Sequence, residues 1–186
     1  MTLADLWLPM VVSAVAVFVV SSLVHMVFKY HNSDHGKLPD EDRVLDALRG
    51  ASIPRGQYRF PYADTMKDMQ SPEMKAKFER GPVGMLNVMA KGGCSIGPSL
   101  LQWFILTLVV SAGIGCVAGM SLRAGAPGAD IFRLTSTIGV LAYGAGTVCD
   151  SIWKGVSWGV SMKFLLDAVL YAAATGAVFV WMWPAA

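Results

Sequence analysis

Apolar residues in this chain are gathered into long blocks, and four of them approach or exceed the length of a membrane-crossing helix, about 20 residues. They are residues 7–28, 100–122, 131–149 and 162–183. The pattern predicts an all-α membrane protein with four transmembrane helices. The third block is the most diluted, because Arg133 and the run Thr135, Ser136, Thr137 interrupt its start before "IGVLAYGAG" carries it on. Trp7, Trp103, Trp153, Trp158, Trp181 and Trp183 fall at or near block ends. There an apolar ring with a polar N–H suits the membrane interface.

The chain thus divides into a first transmembrane span (1–28), a polar loop (29–99) and a three-span region (100–186). Within the loop, "LPDEDRVLDALRG" predicts a short helix. Acidic residues occupy its first turn, Val44, Leu45 and Leu48 share one face, and Gly50 stops it. "SPEMKAKFERG" predicts a second, with Ser71 as N-cap, Pro72 at the first position and Gly81 beyond the end. "QYRF" and "VGMLNVM" read as short strands. A small α+β lobe results, too short to sustain a core of its own, and it is expected to pack on the membrane surface or on a partner.

With 54% hydrophobic and only 15% charged residues in 186, the composition excludes an ordinary soluble domain. The N-terminal flank "MTLAD" has no positive charge and no small-residue cleavage site closes the first block, so the block is expected to be retained rather than removed as a signal peptide. Lysine and arginine near span ends set orientation. Lys29, Lys37, Arg43, Arg80, Lys91 and Lys154 share one side, against Arg123 and Arg133 on the other. Both termini are therefore expected in the periplasm of a bacterial inner membrane, with the 29–99 loop cytosolic. Basic and acidic residues nearly balance in that loop, which predicts no nucleic-acid surface.

The stretches "HNSDHGKLPDEDRVLDALRG", "YRFPYADTMKDM", "SPEMKAKFERGPVGMLNVM" and "AYGAGTVCDSIWKG" resemble an uncharacterised family of bacterial four-span inner-membrane proteins. The resemblance runs along most of the chain, with "SPEMKAKFERGPVG" its most distinctive block. It implies the inner membrane and the same four-span plan, and it brings no assigned activity.

Enzyme signatures are mostly missing: there is no Walker loop, no dinucleotide fingerprint following a strand and no H-E-x-x-H helix. "AKGGCSIGPS" only loosely imitates a phosphate loop and reads as a flexible entry to the second span. Cys94, Cys116 and Cys149 form no C-x-x-C pair. Three candidate sites remain. His25, His31 and His35, with Asp34, lie where the first span meets polar sequence. Imidazole suits transition metals such as copper or zinc. On a continuous helix His31 and His35 would share a face and His25 would not, unless the chain turned at residues 29–32. The simpler reading is that imidazoles sit at a membrane edge, body in lipid and tip in water. Met66, Met69 and Met74 could capture Cu(I), although packing explains them as well. Last, Asp167 lies inside the fourth span, costly at membrane depth. Lys163 one turn back is its expected partner, with Asp150 a competitor in an intramembrane charge cluster.

These observations leave three function classes. A non-catalytic accessory or scaffolding component of a membrane assembly fits best. A small homo-oligomeric channel or transporter would use Asp167 and Asp150, and a metal-binding protein would use the histidines. Small residues recur at helical spacing, Ser111, Gly115 and Gly119; Gly139, Ala142 and Gly146; Ala168, Ala172 and Gly176. They predict close helix packing. The valine-rich first span, lacking such a stripe, is expected to face lipid or a partner.

Overall fold

The structure, a computed structural model, describes residues 1–92 and 95–186. Cys94 and part of "AKGGCSIGPS" lie outside the described residues. The protein is mostly α: α1 (Trp7–Leu23), α2 (Glu41–Gly50), strand β1 (Gly56–Phe60), α3 (Met66–Met69), α4 (Pro72–Arg80), strand β2 (Gly84–Val88), α5 (Gly97–Ser121), α6 (Gly128–Lys154) and α7 (Trp158–Trp181). Two compact units follow. One joins Met1–Asp34 to Ser95–Ala186, and the other is His35–Cys94.

In the first unit, three helices among the described residues are long and apolar enough to cross a membrane: Trp7–Phe28, Gly97–Ser121 and Trp158–Trp181. Four were expected. The exception is α6, which at 27 residues is the longest helix. Asp130 and Arg133 near one end, Asp150 and Lys154 at the other, and hydroxyls between them lower its hydropathy.

The small-residue stripes explain most of the packing. A Cβ on Gly115 would fall 2.3 Å from Met10 Cε, and one on Gly119 3.3 Å from Leu6, so α5 lies directly against the α1 segment. Ser13 and Ser111 meet there at 2.5 Å, and Ser111 also donates to the Met10 carbonyl at 2.7 Å. Helix α1 therefore has an inner stripe of Met10, Ser13, Ala14, Val17 and Ser21, with Val11, Val15 and Val19 exposed outside it. Helices α6 and α7 form the most extensive pair. Their contacts run in opposite order, Gly128 on Val180, Phe132 on Gly176, Gly139 on Ala172 and Gly144 on Ala168. They are an antiparallel hairpin. The stripe on α6 is Gly139 and Gly144, not Gly139, Ala142 and Gly146, because Ala142 is exposed and Gly146 has open space beside it.

In the second unit the two predicted strands pair, with β1 and β2 antiparallel in the register Tyr58↔Leu86. Ser71 caps α4 by accepting from the Met74 N–H, Pro72 opens it, and Gly81 with φ +60° ends it. The short α3, capped by Thr65, was not anticipated. Met74 is the sole buried apolar side chain among its described residues. So thin a core agrees with the expectation for a lobe of this length.

Candidate functional site

The site is built by an abrupt change of path at the end of the first span. From Val24 to Phe28 the helix widens into a π-turn, Lys29 adopts a left-handed conformation (φ 55°), and Tyr30–Ser33 form a 3-10 turn. A non-glycine residue at positive φ is uncommon and marks a constrained turn. The result is that the His31 ring lies back against His25, with centroids 4.4 Å apart. A straight helix would have separated them. His31 and His35 do not share a helical face, since the 3-10 turn ends at Ser33 and His35 is exposed at the start of the other unit.

Asp167 on α7 meets this turn. Its side chain is 1% exposed and accepts from the Tyr30 hydroxyl, while His31 Nε2 lies 2.8 Å from Oδ2. His25 Nε2 approaches the same Oδ2 at 3.7 Å and the Tyr171 hydroxyl at 3.4 Å. His31 Nδ1 is bound to Asp34 Oδ2 at 2.5 Å. Phe164 covers His31, with ring centroids 4.8 Å apart.

Lys163 does not pair with Asp167, as the one-turn spacing suggested. Its ammonium donates instead to Asp34 Oδ1 (2.6 Å), Ser33 Oγ (2.7 Å) and the Tyr30 carbonyl (2.8 Å). Three oxygens of one turn thereby match the three ammonium protons. Asp150 is likewise outside the cluster, half exposed and paired with Lys154 at 2.7 Å. Asp167, His31, Asp34 and Lys163 thus form an unbroken line of polar contacts. Burial alone would raise the Asp34 carboxyl, but hydrogen bonds and charge from Lys163 and His31 outweigh it and hold the group below the ordinary range. Burial, reinforced by the hydrogen bond to Asp167, pushes the Tyr30 hydroxyl well up, so it remains a donor.

Among the described residues, His25, His31 and Asp167 form the group able to hold a metal ion, one ligand atom from each lying within 4.8 Å of the others. Metal bonds of about 2.0–2.2 Å place neighbouring ligands roughly 3–3.5 Å apart, close to the two spacings at Oδ2. The same atoms also satisfy one another as ion pairs. His25 and Asp167 further line a cavity of about 430 Å³ with Ser21, Trp103, Tyr143 and Tyr171.

Elsewhere, Met66 is exposed while Met74 is buried. Cys116 and Cys149 are free. Sequence reasoning missed Tyr30, Phe164 and the aromatic wall, for which no spacing gives a signal. The i, i+4 pair Lys163 and Asp167 did mark the face of α7 that the turn covers. No family model, curated protein or solved structure matches the chain.

Proposed function

We propose that this is a four-span membrane protein in which His25, His31 and Asp167 hold a divalent transition metal at the membrane boundary. The observation that carries the reading is the approach of two imidazole Nε2 atoms to one carboxylate oxygen, with the second nitrogen of His31 bound to Asp34. A metal-ligating histidine characteristically has its other ring nitrogen bonded to a carboxylate, which sets the tautomer and orientation. Two imidazoles and one carboxylate suit zinc or iron(II) and leave coordination positions open. Ionisable groups gathered at membrane depth are costly and commonly functional, which favours a site over a purely scaffolding role.

The remaining span is α6, the third along the chain. Its charges lie near its ends as exposed pairs, Asp130 with Arg133 and Asp150 with Lys154. Thr135, Ser136 and Thr147 bond carbonyls of their own helix, and Ser151 meets Ser161 of α7 at 2.6 Å. Satisfied hydroxyls are tolerated in lipid. Packed antiparallel along α7, it crosses where α7 crosses. The charge asymmetry along the chain supports periplasmic termini and a cytosolic lobe in a bacterial inner membrane.

A second reading is favoured by the line Asp167, His31, Asp34, Lys163, which could pass protons between its members. One set of measurements separates the two. Protein purified without a polyhistidine tag and supplied with zinc should retain about one ion per chain after dialysis, losing it in His25→Ala, His31→Ala and Asp167→Asn but not in His35→Ala. Retention no higher than in the triple variant would overturn the metal reading. Proton flux in liposomes that disappears in Asp167→Asn would establish the second.

A further inference from the structure

The cavity beside the His25 and Asp167 side chains has a chemistry of its own. Trp103 from α5, Tyr143 from α6 and Tyr171 from α7 stand in mutual contact on its wall, with centroids 6.2, 5.9 and 5.6 Å apart. Phe164 adds a fourth ring to the lining. The Trp103 N–H is already committed to Ser21 Oγ at 2.8 Å, so that residue offers the cavity only its apolar surface. Tyr143 is different: its hydroxyl is the one buried side-chain polar atom without a hydrogen-bond partner among the described residues. Leaving such a group unpaired is costly. The hydroxyl has essentially no exposed surface, so an occupant bringing an oxygen would offset that cost once a small shift of the ring turned it to the cavity. Met26 and Ile96, which line the same cavity beside Ser22 and Ser99, are exposed apolar side chains that a lipophilic occupant can pass.

We infer that this cavity binds a lipophilic molecule carrying a hydroxylated aromatic ring, of the phenol or hydroquinone class. Its ring packs against Trp103, Tyr143 and Tyr171, where offset and edge contacts between rings add to simple burial. Its hydroxyl, donor and acceptor at once, serves Tyr143 and the His25 and Asp167 pole. A lipid acyl chain would use the apolar wall but leave Tyr143 and the polar pole unanswered. At about 430 Å³ the space falls within the usual range for small-molecule sites, about 300–1,000 Å³.

The test is equilibrium binding of an alkylated benzohydroquinone to the purified full chain in detergent, beside the same alkyl chain on a cyclohexane ring. Saturable binding of the hydroquinone is expected, at least about tenfold tighter than the cyclohexyl compound. Tyr143→Phe, which keeps the ring, should weaken it about three- to tenfold, and Trp103→Leu should weaken it further. Equal binding of the two compounds would make the cavity an acyl slot and overturn the inference, as would unchanged affinity in Tyr143→Phe or no saturable binding. The measurement is made on chelator-treated and on zinc-loaded protein. Binding in both with no metal retained on dialysis removes the metal reading alone; metal retained without binding removes this inference alone.

Discussion

At Lys163 the geometry reverses an expectation drawn from spacing, and the reversal can be measured. Lysine at one helical turn from a carboxylate normally pairs with it, but here the Tyr30–Ser33 turn and Asp34 offer three better-placed oxygens. Removing one partner of a buried ion pair costs about 3–5 kcal/mol. Because the lysine side chain is 28% exposed, water screens part of that, and Lys163→Met should lose about 2–3 kcal/mol of stability in detergent. Adding Asp34→Leu should recover part of the loss. Exchanging the charges of Lys163 and Asp167 should recover none, which distinguishes this arrangement from a direct pair. Asp150→Ala, at an exposed pair, should stay within about 0.5 kcal/mol of the parent. Thermal unfolding of the four variants decides. From sequence the convergence of His25 and His31 could be named only as a condition, a turn at residues 29–32, for a related reason. It depends on one left-handed residue, and lysine carries none of the marks of glycine or asparagine that announce such a turn.

Helices were more legible than the site they frame, since capping and apolar length are local properties. Ser71, Pro72 and Gly81 bound α4 as their chemistry dictates. The stripe on α5 was also readable, because Ser111, Gly115 and Gly119 all lie on one buried face. On α6 periodicity alone chose the wrong partners for Gly139, since the line facing α7 is settled by what α7 presents. Different tolerances follow. A methyl group at Gly139 meets the Ala172 Cβ at 3.0 Å and its Cα at 3.1 Å, neither of which can swing aside. Gly139→Ala should therefore cost about 1–3 kcal/mol by overpacking. Gly115→Ala meets Met10 at Cε (2.3 Å) and also at Cγ (2.9 Å), so that whole buried side chain must repack and the cost should be similar. Gly146→Ala enters open space and should be neutral or gain up to about 1 kcal/mol from helix propensity. Melting temperatures in detergent rank the three.

Across the whole molecule, the number of crossings determines where the chain ends. If α6 crosses with α7, both termini face one compartment; if three helices alone cross, they face opposite ones. Alkaline phosphatase, active only in the periplasm, should be active when fused after Ala186 and inactive when fused after Arg80, whereas inactivity at both would reduce the crossings to three. The thin lobe was foreseeable from its length, but the place where it begins was not. The first unit ends at Asp34 and the lobe starts at His35. The carboxylate that orients His31 is thus one peptide bond from the boundary, like a knot tied at the very lip of a pulley. Force arriving along the backbone at this one of the two junctions, the other being at Ser95, meets the imidazole's partner first. Slack inserted there, as a Gly-Ser pair between Asp34 and His35, should leave metal affinity unchanged in the resting protein yet disconnect it from any load applied to the lobe. Zinc titration with the lobe free and with it clamped by an antibody fragment would read that transmission directly.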